Sequence, residues 1–104
     1  MNTLIIDVQD LRAQEVEVTE DTLVVSLTDG RVISTPLAWF PRLWYGTSKE
    51  RANFEIIGDG YYIHWPELDE DVGIEGILLA KRSTESPQSF EKWLQTRKQG
   101  NERG

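Results

Sequence analysis

The sequence predicts a small α+β protein: an antiparallel β-meander of about five strands, short helices, and an amphipathic helix at the C-terminus. Three observations carry this. Residues 13–35 hold three short β-patterned runs divided by turn signals, and residues 54–64 repeat a hairpin pattern around Gly58-Asp-Gly60. From Ser86 onward the apolar period changes to that of a helix.

In the first run Val16 and Val18 alternate with Glu15, Glu17 and Thr19, the pattern of a half-buried strand. Glu20-Asp21 turns the chain into Thr22–Thr28. Asp29-Gly30 is the dipeptide favoured in two-residue type I′ hairpins, and Arg31–Thr35 returns as a third strand. Thr35-Pro36 reads as a helix start, a capping hydroxyl before a proline at the first helical position, with Pro41 kinking or restarting the helix. Thr47-Ser-Lys-Glu50 has the spacing of a capping box and predicts a helix over 48–52. Strands follow at 54–57 and 61–64, then a loop from Pro66 to about Val72. Ile74, Ile77 and Leu78 predict a short helix weakened by Gly73 and Gly76. Residues 1–80 form the expected domain and 81–86 a polar linker. Residues 87–104 form a helix with Phe90, Trp93, Leu94 and Arg97 on one face, ended by Gly100 and a frayed tail.

Composition narrows the function classes. A chain of 104 residues is one domain with one modest core. Its 38% hydrophobic and 28% charged residues are those of a globular protein. The absence of cysteine removes disulfides, thiolate metal sites and cysteine nucleophiles. A net charge of −7 repels phosphate backbones, so no direct nucleic-acid binding is expected; Arg97, Lys98 and Arg103 form the densest basic patch. With neither a secretory signal nor a membrane-length apolar run, the expected location is the cytoplasm, away from membranes.

Two segments carry distinctive side-chain chemistry. Thr35–Tyr45 contains Trp39, Phe40, Arg42 and Trp44, and adjacent aromatics on so short a helix cannot all face one core. Exposed aromatics beside an arginine are the composition of protein–protein hot spots; the alternative is a lid over the sheet. His64–Asp71 holds the single histidine, Trp65, Glu67, Asp69, Glu70 and Asp71. These are ligand types for zinc or manganese, but acids so closely spaced on a loop diverge, and capping of the next helix by Asp69 or Asp71 is the simpler role. No nucleophile turn, phosphate loop or calcium loop occurs, so no catalytic residue, metal or cofactor is assigned.

The segments Thr28–Arg31, Pro36–Leu43, Arg51–Asn53, Gly58–Gly60, His64–Asp71 and Glu75–Leu79 resemble, in order, the bacterial family catalogued as domain of unknown function 2442, over about residues 13–80. The resemblance implies a small α+β domain with an N-terminal β-meander and no established enzymatic activity. It also implies members that look like halves of toxin–antitoxin-like gene pairs, and others fused to a helix-turn-helix domain. The family's signature positions correspond to Trp39, Phe40, Pro41, Arg42, His64, Trp65, Pro66 and Asp69. The expectation is a non-enzymatic protein-binding module, antitoxin-like, with a second protein or another copy as partner. Its candidate surface is Trp39, Phe40, Arg42, Trp44, His64, Trp65, Glu67, Asp69 and Asp71. The alternatives are a structural homo-oligomer, and a metal- or small-molecule-binding domain built on His64 and the 67–71 loop.

Overall fold

The first meander forms as its alternation predicts: β1 (Ala13–Val18), β2 (Thr22–Leu27) and β3 (Val32–Pro36) pair antiparallel in the order β1-β2-β3. The computed structural model describes residues 11–102, with side chains in the last helix described as far as Arg97. The N-terminal segment and the basic residues Lys98 and Arg103 lie outside the described side chains. Leu23, Val25 and Leu27 on β2 are fully buried, and Thr22, Val24 and Ser26 face the other way. A bulge between Ala13 and Glu15 shifts β1 by one residue, so Ala13 opposite Leu27 and Val16 opposite Val25 share the inward face despite their odd spacing.

The Asp29-Gly30 hairpin is not type I′. Among non-glycine described residues only Asp59, Asp69 and Ala80 have positive φ, so Asp29 stays right-handed and Gly30 alone turns left-handed at φ 96. The Gly30 amide donates to the Leu27 carbonyl and the Leu27 amide to the Arg31 carbonyl, closing a three-residue loop. Asp29 anchors it by accepting from the Arg31 amide at 3.0 Å and Nε at 2.7 Å.

The sheet count also differs from expectation. There are six strands in two three-stranded sheets, because residues 66–72 are not an open loop. β4 (Glu55–Ile57), β5 (Tyr62–Trp65) and β6 (Glu70–Gly73) pair antiparallel in that order. Between β5 and β6, Pro66 sits second in a turn closed by the Leu68 amide on the Trp65 carbonyl, and Asp69 takes φ 50. Both are ordinary turn choices, so Trp-Pro-Glu-Leu-Asp was a hairpin signal.

Between the sheets, Leu37–Trp39 makes a 3-10 turn, α1 covers Pro41–Trp44 and α2 covers Ser48–Ala52. Pro36 ends β3 and Thr35 is a buried strand residue opposite Leu23, so Thr35-Pro36 does not start a helix as a cap and first residue. Phe40, extended at φ −126 and ψ 92, separates the 3-10 turn from α1, whose first residue is Pro41. The capping box at α2 is present in both directions: the Thr47 side chain accepts from the Glu50 amide at 3.1 Å and Glu50 accepts from the Thr47 amide at 2.8 Å.

α3 (Ile74–Leu78) turns Ile74 and Ile77 inward and ends in a Schellman cap. The Ala80 amide donates to the Ile77 carbonyl and the Lys81 amide to the Gly76 carbonyl, with Ala80 at φ 59 where glycine is the usual choice. Residues 81–86 have no regular structure, and α4 runs from Pro87 through Gly100 to Glu102 rather than ending at the glycine. The core joins both sheets, α1 and α3, with Trp65 its largest fully buried side chain. At its rim, Gly60 presses against β1: a Cβ there would stand 3.1 Å from the Ala13 carbonyl oxygen, and φ is +96. Among the described residues no helix is long and apolar enough to cross a membrane.

Two opposite glycine–alanine exchanges check this backbone. Gly60→Ala meets both strain and backbone and is expected to cost about 1–2 kcal/mol. Ala80→Gly relieves the left-handed cap and is expected to stabilise by about 1 kcal/mol. Urea unfolding of the two variants should move the midpoint in opposite directions.

Candidate functional site

Burial sorts the aromatic segment. Leu37, Phe40 and Leu43 fall three apart and all reach the core, Phe40 with 5% of its surface exposed. Trp39 is half-buried: the Arg82 guanidinium lies 4.9 Å from its ring centre, and its carbonyl accepts from the Ser83 amide at 3.1 Å. Trp44 and Tyr45 point outward, 46% and 56% exposed.

Arg42 is a staple between four segments. From α1 its Nε and Nη2 grip the Glu85 carboxylate at 2.6–3.1 Å, and Nη1 donates to the carbonyls of Leu68 and Asp69 at 3.2 and 3.3 Å. Its guanidinium also lies 5.2 Å from the centre of the Trp93 ring on α4. Ser89 completes the Glu85 end at 2.7 Å. A bidentate pair with both side chains only 14% exposed is the geometry in which an ion pair contributes to stability. A second staple, Arg97 to Glu50 at 2.8 and 2.9 Å, fixes the far end of α4, and Phe90 lies 5.4 Å from Tyr45. The C-terminal helix therefore lies on its own chain.

The acidic run diverges. Glu67 accepts from Asn53 Nδ2 at 2.9 Å, the Asp69 side chain is 90% exposed near Arg42, and Asp71 meets His64 Nδ1 at 2.5 Å. Trp65 is wholly buried and donates Nε1–H to the Arg51 carbonyl at 3.0 Å. Neither Asp69 nor Asp71 caps α3, whose N-cap is Gly73 without a side-chain bond. Among the described residues no three His, Asp or Glu side chains converge on a point where a metal could sit.

Strand register decides the rest. Glu70 stands opposite Trp65 and so turns inward, toward a cleft of about 340 Å³ shared with Arg42, Lys81 and Glu85. Burial pushes its carboxyl up to about 7. On the other face of the second sheet, Glu55, His64 and Asp71 form one row across the three strands, and Ile57 and Tyr62 form the next. Ile57 and Tyr62 are 38% and 51% exposed, so this face is not covered. Ile57 and Tyr62 fell outside the candidate surface taken from the sequence; the signal that could have placed them is the period of two set by the Gly58–Gly60 turn.

Residues 13–83 match the family described as a protein of unknown function, DUF2442. The chain belongs to the DUF2442 family. The domain is similar to a protein of unknown function from Rhodospirillum rubrum, 24% identical with a TM-score of 0.65, covering 73% of this chain and 94% of that one. It is also similar to an uncharacterised protein from Chromobacterium violaceum, 21% identical with a TM-score of 0.61, covering 70% of this chain and 69% of the other. These likenesses establish a shared fold. No curated protein matches the sequence. The family match ends before α4, which lies outside the matched residues.

Two half-buried acids set opposing pH dependences. Glu70 has its folded pKa raised from 4.5 to about 7, so the folded state binds more protons in that interval and stability falls as pH rises through it. Glu50, held down to about 2 by the Arg97 and Thr47 hydrogen bonds, stabilises above its unfolded value of 4.5 and loses that contribution as pH falls toward 2. Thermal melts should therefore peak at roughly pH 5. Glu70→Gln should flatten the descent between pH 5 and 8 and stabilise at pH 8 by about 1 kcal/mol, after discounting for partial exposure. An unchanged slope would refute the assignment.

Proposed function

We propose that the domain is a non-enzymatic protein-binding module, an antitoxin-like component that docks a basic second protein on the outer face of β4-β5-β6. The observation that supports this most directly is the uncovered pair Ile57 and Tyr62, apolar surface at the turn end of a sheet face where a partner layer would ordinarily lie. Glu55 and the His64–Asp71 pair flank it with carboxylates, which suits a basic partner, as does the net charge of −7. On this reading Tyr62 is the anchor and the acidic row sets orientation and encounter rate. Trp44 and Tyr45 belong to a separate exposed region beside α4.

This reading differs from the sequence-based surface of Trp39, Phe40 and Trp44 oriented by Arg42 and the 67–71 carboxylates. Phe40 lies in the core, and Arg42 is engaged by Glu85 and by the Leu68 and Asp69 carbonyls within the chain. His64 and Asp71 carry over into the proposed face, while Trp65 serves the core beneath it.

The test is co-purification of a stoichiometric partner with wild-type protein, followed by affinity measurement with the purified pair. Tyr62→Ala should weaken binding roughly 30-fold or more, the scale of an interface hot spot, with near-ultraviolet circular dichroism unchanged. Raising salt should slow association. Equal affinity of wild type, Tyr62→Ala and Ile57→Asp would overturn the assignment of this face.

A further inference from the structure

The body of the domain presents a groove that is shown to hold a helix, because α4 lies in it. The groove has an address at each end: Arg42, which takes a carboxylate, and Glu50, which takes a guanidinium. Between them Tyr45 receives Phe90, and the centre of the Trp93 ring lies 5.2 and 4.7 Å from the guanidinium groups of Arg42 and Arg97. A helix with a carboxylate before its first turn, aromatics one turn apart and an arginine one turn further is the ligand this surface recognises.

Three features make that ligand detachable. No described residue of α4 is fully buried: Phe90, Trp93, Leu94 and Arg97 are half-buried, with Trp93 packed against the core, so its release withdraws no fully buried side chain. The six residues 81–86 that lead to it have no regular structure, and two backbone bonds tie them to the body, the Lys81 amide on the Gly76 carbonyl and the Ser83 amide on the Trp39 carbonyl. The preceding cap holds Ala80 at φ 59, a conformation that costs alanine about 1–2 kcal/mol and is released when the hinge straightens.

We propose that the groove also accepts α4 of a second copy, so that two chains associate by reciprocal exchange of their C-terminal helices. Every contact just named is regained across the pair, and reciprocity closes the assembly with two-fold symmetry. Charge complementarity specifies the occupant: the segment that satisfies Arg42 and Glu50 carries this chain's own Glu85 and Arg97. Because a short linker gives the attached helix an effective concentration on the order of millimolar, the closed monomer dominates in dilute solution and exchange rises with concentration. This association is independent of the sheet face assigned above.

Charge reversal tests it in the full chain. Arg42→Glu and Glu85→Arg each repel their own helix, and each repels it in a homodimer too. Mixed one to one, the two variants regain an opposite-charge pair in both grooves only by exchange. Light scattering should show each variant alone as a monomer and the mixture at twice the mass. As a second route that keeps the native pair, deleting Ser83 and Thr84 shortens the hinge below what closure within one chain needs, and the product should be a dimer at micromolar concentration. Monomers in both experiments overturn the proposal. So does a dimer that persists when Arg42→Ala is added to the hinge deletion, or one that is lost with Tyr62→Ala, since that association belongs to the sheet face.

Discussion

The hydrogen bond from the buried Trp65 indole to the Arg51 carbonyl is the joint on which the domain depends. It fixes the end of α2 against the second sheet, and Arg51 then reaches back with its own guanidinium to the carbonyls of Leu43, Trp44 and Gly46, 2.7–3.3 Å away. They belong to the last turn of α1 and the residues just after it, and the Leu43 carbonyl also accepts from the Gly46 amide. With α1 held, Arg42 is aimed at Glu85 and at the Leu68 and Asp69 carbonyls, and α4 acquires its mooring. One buried tryptophan is thus coupled, through two arginines, to a helix outside the family domain.

The same joint sorts the faces of the molecule. Each three-stranded sheet gives one face to a single core and leaves the other bare. The first sheet's bare face carries Glu15, Glu17, Ser26 and Ser34 around Val24 and the exposed Val32, and has no aromatic side chain. That of the second carries Ile57, Tyr62 and a histidine–aspartate pair. A core of this size cannot cover both sheets on both sides, which is why a domain this small offers a partner surface without an apparent groove.

Elements whose cause lies within a few residues were legible in the sequence. The Thr47–Glu50 box, the Gly58–Gly60 turn, the alternation of β2 and the inward Ile74 and Ile77 all depend on neighbours one turn or one strand away. The Asp29-Gly30 turn was located correctly but assigned the wrong type, because its dipeptide is compatible with either turn and the strand ends decide. Strand β6 was taken for loop because its acidic composition is unfavourable for a strand; pairing with β5 overrides that propensity. The bulge in β1 falls where two polar residues, Gln14 and Glu15, interrupt the alternation, a mark too slight to be read without the partner strand.

Sequence alone determined the α+β class, the family, the local turns and caps, and the amphipathic character of α4. Tertiary structure decided which aromatics are core and which are surface, and what each charge meets. The period of two puts Trp65 and Tyr62, three residues apart on one strand, on opposite faces, but only the packed core decides that Trp65 has the buried one. Arg42 and Glu85 are separated by 43 positions and meet only because α1 and the 81–86 segment converge. A local pattern specifies backbone conformation through short-range sterics and hydrogen bonds. Burial and ion pairing depend on what lies across the core, and no window of neighbouring residues contains that information.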